Sequence, residues 1–236
     1  MRRPDPQTLL LISFAVTLGF TIWLHLNLQP RDFGTYANVD ERKAAFITYL
    51  CPLIEEQNAS ARADRDLVLQ AHAELRESGD IGQAILDLGK KYSLTVTVPP
   101  DVLVTRLLRR VDQLPDALVL AQAAIESGWG TSELYTRTHN LFGRRCFYAS
   151  DCYSPPNSTI EYRRFPSAGD AVAQYFRDLN TLMPYKRLRD LRAQYASDPR
   201  RLAEGLRAYS SRGTHYVRQV RRVIDDNNLR SACGVG

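Results

Sequence analysis

The sequence contains no internal repeat and no low-complexity tract, which excludes a repeat-built or disordered architecture. Histidine and cysteine are scarce, four of each. Cys146 and Cys152 have five residues between them, against roughly two to four in a zinc knuckle, and only His139 and His215 could complete a site. No metal centre is expected. Lys, Arg, Asp and Glu are absent from Leu9 to Leu28, where the strongly polar residues are His25 and Asn27, near the far end. At about 1.5 Å per helical residue that run spans roughly 30 Å, the hydrocarbon thickness of a bilayer. A small-residue cleavage site is also lacking, and the run exceeds the roughly 7 to 15 apolar residues of a signal peptide. The expectation is an uncleaved transmembrane anchor at residues 9–28. Arg2 and Arg3 precede it, so residues 1–8 stay in the cytoplasm and everything after Leu28 crosses.

Of the 236 residues, 44% are hydrophobic and 24% charged, the composition of an ordinary globular protein with a real core. Cys51, Cys146, Cys152 and Cys233 all lie beyond the anchor, and an even number in an exported chain suggests disulfides. Cys146 and Cys152 need only a modest turn to meet, which leaves Cys51 to pair with Cys233. Net charge is +5, and between Lys186 and Arg230 there are 12 Lys and Arg against 5 Asp and Glu. Export argues against nucleic acid; an anionic wall polymer or a membrane surface is the better partner, and a solvated helix face is the plain alternative.

Gln29 to Val39, with Pro30 and Gly34, reads as a linker. Apolar residues at helical spacing then mark helices over Asp40–Asn58, with Pro52 as a kink, and over Arg65–Glu77 and Ile81–Tyr92. Ser78-Gly79-Asp80 supplies a stop and an N-cap between the last two. Leu94–Val98 is a brief β-branched run that suggests a strand, and Val102–Val111 is helical. Pro115 and Asp116 open a helix that is apolar on nearly every face through Ile125, and so must be buried. Leu141 to Phe165 has the pattern of a small β-hairpin lobe. Ser167 and Asp170 look like a capping box for a helix toward Leu182, and further helices fall near Leu188–Tyr195, Pro199–Tyr209 and His215–Leu229. The fold class is α+β, mostly helical.

The chemistry concentrates in Ala121 to Gly130, which holds Glu126-Ser127-Gly128-Trp129-Gly130, and in Asn140-Leu141-Phe142-Gly143. Glu126 sits at the C-terminal end of the buried helix, where desolvation and the negative end of the helix dipole both disfavour its anion. Trp129 could add an apolar wall if the glycine turn folds it back. A carboxyl kept protonated near neutral pH is what protonation of a glycosidic oxygen requires; a glutamate satisfied by Ser127 or Gln122 is the structural alternative.

These residues resemble the flagellar FlgJ-type N-acetylglucosaminidases, and the Bax proteins most closely among them. The resemblance continues through Cys146 to Cys152, Tyr162-Arg163-Arg164-Phe165-Pro166-Ser167, Asp178-Leu179-Asn180 and Tyr209-Ser210 to Tyr216, while Arg42 to Asn58 resembles the helical extension of Bax proteins. It implies a lysozyme-like domain at 113–236, a helical extension at 40–112 and a linker at 29–39. It also implies cleavage of the β-1,4 glycan of peptidoglycan without metal or organic cofactor. Glu126 would be the general acid and Tyr209 would steady the transition state or the attacking water. Asn140 and Phe142 would line the cleft with Trp129, Tyr162 and Tyr216. Many relatives carry a glutamate in a longer hairpin, and Glu161 is the candidate for that second carboxylate, displaced from the family position; the alternatives are a surface Glu161 paired with Arg163 or Arg164, with the water held by Tyr209 or the substrate's own acetamido group taking the part of the base. The rivals are a lytic transglycosylase and a non-catalytic wall-binding scaffold. A reporter fused after Gly236 is expected on the outer side of the cytoplasmic membrane, and cysteine-accessibility labelling that finds it in the cytoplasm overturns the topology.

Overall fold

The computed structural model of the chain describes residues 30–147, 151–156, 158–195 and 198–234. The expected anchor at 9–28 and its flank lie outside them; among the described residues no helix is long and apolar enough to cross a membrane.

One helix, α1 (Val39–Ser78), is the spine. The Asn38 side chain caps it by accepting from the amides of Asp40 and Glu41, and Gly79 ends it in the left-handed conformation. The sequence divided this span into two helices. They run together because Ala59-Ser60-Ala61-Arg62-Ala63-Asp64 contains good helix formers and no breaker, and the helix continues through Pro52. The two ends of α1 serve two cores. Phe46, Leu50 and Ile54 belong to the larger one, Val68 and Ala71 to a smaller one with Leu88, Leu103, Leu107 and Val111.

The smaller core is closed by α2 (Gln83–Lys91) and α3 (Pro100–Arg110). Asp80 does not cap α2: its carboxylate accepts from the adjacent Ile81 amide, and the helix begins after Gly82 without a side-chain cap. Leu94–Val98 is not a strand either. Nothing pairs with it among the described residues, and Leu94, Val96 and Val98 spend their side chains on the smaller core.

The larger core surrounds α4 (Asp116–Ser127), in which Ala117 through Ala124 are all buried, as its apolar pattern requires. Packed around it are α5 (Glu133–Thr138), α6 (Ala168–Thr181), α7 (Lys186–Tyr195), α8 (Pro199–Leu202) and α9 (Thr214–Asp226). Ser167 caps α6 through the Asp170 amide, and its hydroxyl also meets the Asp170 carboxylate. The expected helix Pro199–Tyr209 is instead α8 followed by a 3₁₀ turn over Ala203–Leu206. The lobe is a minimal antiparallel pair, β1 (Cys152–Tyr153) against β2 (Tyr162–Arg163), extended by a bridge from Arg145 to Tyr162.

Both expected disulfides form, Cys146–Cys152 at the lobe and Cys51–Cys233 between α1 and the end of the chain, with Cα separations of 5.9 and 5.4 Å. The connection between the two cores, residues 108–114, is held by side chains rather than by a sheet or helix. Asn58 bonds both the carbonyl and the amide of Leu114, Arg65 donates to the carbonyls of Leu108 and Val111, and Arg192 donates to those of Arg110 and Gln113. Part of the basic stretch is therefore structural: Arg189 and Arg192 are buried and spend their charge on main-chain carbonyls.

Residues 30–38, read from the sequence as a linker, are docked. Phe33 is fully buried, its ring edge-on to Phe46 and Tyr49 at centroid distances of 5.3 and 5.6 Å. The ring lies against Gly130, where a Cβ would overlap it. Phe33→Ala is expected to lower stability by roughly 3 to 5 kcal/mol, measured by denaturant unfolding of residues 30–236; a loss under about 1 kcal/mol means the segment adds no packing of its own.

Candidate active site

Gln122 is the one polar side chain in the buried middle of α4, and it lies one turn before Glu126 on the same face. A buried amide must find partners. Its oxygen accepts from the Tyr175 hydroxyl of α6, and its nitrogen donates to the Tyr216 hydroxyl of α9 at 2.9 Å. The Tyr216 hydroxyl also lies beside the Glu126 carboxyl, where it favours the charged form. Three helices thus share the chain Tyr175 to Gln122 to Tyr216, which ends beside Glu126.

Burial pushes the Glu126 carboxyl above the usual carboxylate range, and the Tyr216 hydrogen bond and the Arg212 charge pull back only part of the way. Its place in the last turn of α4 adds the helix dipole in the same direction as burial. Tyr216 is fully buried, so it positions the carboxyl and has no surface left for the sugar contact expected of it. Trp129 packs on α1, edge-on to Phe46 at 5.7 Å with Lys43 over its ring. The aromatic surroundings that feel the Glu126 charge are tyrosines 175, 185, 209 and 216.

Opposite Glu126 runs the turn Asn140-Leu141-Phe142-Gly143. Asn140 is fully buried, and its amide nitrogen donates to the carbonyls of Arg144 and Arg163 while its oxygen accepts from the Arg144 amide, each at 2.9 Å. It braces the turn against β2 and lines no cleft, because its donors and acceptor are already spent. Gly143 is at φ +63°, and a Cβ there would come within 3.2 Å of a Glu126 carboxyl oxygen, so glycine leaves the acid accessible. The Tyr209 hydroxyl donates to the Phe142 carbonyl at 2.7 Å, and its ring stacks parallel to Tyr216 at 5.5 Å. Burial and the neighbouring Tyr216 and Glu126 hold that hydroxyl well above the ordinary phenol range, so it stays protonated.

A cavity of about 240 Å³ opens beside this turn, lined by Phe142, Gly143, Tyr209, Tyr175, Tyr185 and others. Phe142 stacks on Tyr175 at 4.1 Å as it lines the wall. Asp178 lines it too, buried, with its carboxylate 2.5 Å from Arg144 and 2.8 Å from the Gln174 amide. Burial raises the Asp178 carboxyl above the usual range, against the opposing charge of Arg144 and the Gln174 hydrogen bond. Sequence reasoning missed it, although a charged residue on the apolar stripe of α6 (Val172, Tyr175, Leu179) was a legible signal. Glu161 is exposed on the hairpin, takes a hydrogen bond from Ser154 at 3.3 Å, and is outside the cavity lining. Tyr162 is half-buried, its backbone bridging Tyr153 and Arg145. Among the described residues no three His, Cys, Asp or Glu side chains are grouped to hold a metal ion.

A partly buried carboxyl with a raised pKa, set beside an open cavity in a mostly helical fold, fits the class of glycoside hydrolases. Residues 103–229 match the glucosaminidase family described as mannosyl-glycoprotein endo-beta-N-acetylglucosaminidase. The chain is 31% identical over 206 residues to protein bax of Escherichia coli (strain K12), covering 83% of this chain and 73% of that protein. It belongs to the glucosaminidase family and is a Bax-like member of it. Among solved structures, the catalytic domain of the autolysin Auto from Listeria monocytogenes is similar at a TM-score of 0.46 and 17% identity, covering 84% of this chain and 92% of that one.

The raised pKa carries a sign for stability. The folded protein holds the Glu126 proton more tightly than the unfolded chain, so the associated stability is fully present below the unfolded pKa and is lost as pH rises through the folded one. Glu126→Gln has no such proton to lose. In thermal melts it is expected to equal or exceed wild type at about pH 7, with the gap narrowing toward about pH 4; a gap that widens on acidification contradicts the burial account.

Proposed function

We propose that the chain is a lysozyme-like β-N-acetylglucosaminidase that hydrolyses β-1,4 bonds in the glycan of peptidoglycan, with Glu126 as general acid. The catalytic domain is 113–236, the helical extension 40–112, and the anchor 9–28 holds both at the outer face of the cytoplasmic membrane. The observation that carries this reading is the Glu126 carboxyl, its pKa raised by burial, beside Gly143 at the edge of a cavity. A protonated carboxyl can donate to the glycosidic oxygen as the bond to the anomeric carbon breaks.

Tyr209 has a defined part in this reading. Its proton is committed to the Phe142 carbonyl, so its oxygen is left as an acceptor facing the cavity. A water that donates to that oxygen presents a lone pair to the anomeric carbon. The two disulfides agree with an exported enzyme working on a wall polymer.

Glu126→Gln is expected to keep the fold and to lower turnover by about 10²-fold or more, because the amide is nearly isosteric but has no acidic proton. The measurement is mass spectrometry of soluble products released from purified peptidoglycan. Reducing-end N-acetylglucosamine is the product of the proposed reaction, whereas anhydro-sugars identify a lytic transglycosylase. No release at all identifies a wall-binding scaffold, and near-wild-type turnover by a folded Glu126→Gln protein removes Glu126 from the mechanism.

A further inference from the structure

Hydrolysis with one acid leaves the water's proton without a destination. Among the residues that line the cavity, the carboxylate is that of Asp178. It is built in rather than incidental: Arg144, the residue after Gly143, holds one oxygen, the Gln174 amide holds the other, and Arg163 in turn donates to Gln174 at 2.9 Å. Tyr185, on the same cavity wall, feels the charge of both Asp178 and Glu126. Glu126 reaches the edge of that cavity at Gly143 and Tyr209. An inverting hydrolase needs its carboxyls far enough apart to admit a water, roughly 6.5 to 9.5 Å, and here the cavity lies between Gly143, which Glu126 touches, and Asp178.

We propose that Asp178 is the second catalytic carboxylate of this enzyme, the base that takes a proton from the attacking water. The inference rests on the hydrolase reading above. The water oxygen bonds to the anomeric carbon as the glycosidic carbon–oxygen bond breaks; Glu126 passes its proton to the departing oxygen, and Asp178 receives the proton that the water loses. The Arg144 guanidinium opposes the upward push of burial on the Asp178 carboxyl, and Gln174 fixes the orientation of its oxygens. A β bond opened in one displacement yields an α anomer.

Three measurements test this. In wild type, NMR of the first-formed product is expected to show the α anomer; a β anomer means retention and overturns the proposal without any variant having to fold. Asp178→Asn, which keeps the shape and the Gln174 contact, is expected to lower kcat by about 10²-fold with KM within a few-fold. Turnover within twofold of wild type overturns the assignment. Sodium azide, a nucleophile that needs no base, is expected to speed Asp178→Ala and to yield an α-glycosyl azide, while leaving Glu126→Gln unaided; a purely structural Asp178 shows no such rescue. If wild type cleaves no glycan, the hydrolase reading fails and this one with it. If wild type cleaves with retention, this inference alone fails.

Discussion

The Glu126 carboxyl sits at the end of a buried helix beside the Tyr216 hydroxyl, which favours its charged form. Tyr216 accepts from Gln122, and Gln122 accepts in turn from Tyr175 on α6. Each member is buried, so a missing partner leaves a polar group stranded at a cost of about 1 to 3 kcal/mol. The packing of α4, α6 and α9 and the surroundings of Glu126 are one constraint. A shift of either outer helix would break the chain that ends beside the acid.

The second face of the site depends on a different economy of partners. The turn from Asn140 to Arg144 has no regular secondary structure, and the Asn140 amide substitutes for it by satisfying two carbonyls and one amide. That brace also ties the turn to β2, so the lobe and the wall opposite Glu126 are positioned together. Gly143 then brings backbone up to the acid, and Tyr209 clamps the Phe142 carbonyl from the far side.

Around both faces, α1 joins what would otherwise be separate units. Its first half contributes to the core that carries the site, its second half to the smaller core, and Cys51 ties it to Cys233 near the end of the chain. Asn58 and Arg65, from the same helix, fix the connection that delivers the chain into α4. Phe33 adds a third attachment against Gly130, directly after the Glu126 helix.

Local pattern was enough for the features that local physics governs. The unbroken apolar run of α4 required burial, the glycine at 79 and the serine at 167 marked helix ends, and cysteine spacing indicated Cys146–Cys152, with Cys51–Cys233 left by elimination. Glu126 was legible for the same reason, since its place at a buried helix end follows from chain order alone. Other features depend on which faces of distant helices meet. Gln122 finds Tyr216 across 94 residues and Tyr175 across 53, and Asp178 finds Arg144 from another element, so no period or spacing announces them. Asn140 and Phe33 looked like a cleft residue and a linker residue, because composition shows what a side chain can do and not whether its bonds are already taken. The sequence by itself determined most helical segments, the Ser167 cap and an acid in an apolar setting. Only tertiary packing decided where helices merge or break, which hydroxyl lies beside that acid and which carboxylate lines the cavity, because these are set by contacts between surfaces that are far apart in the chain.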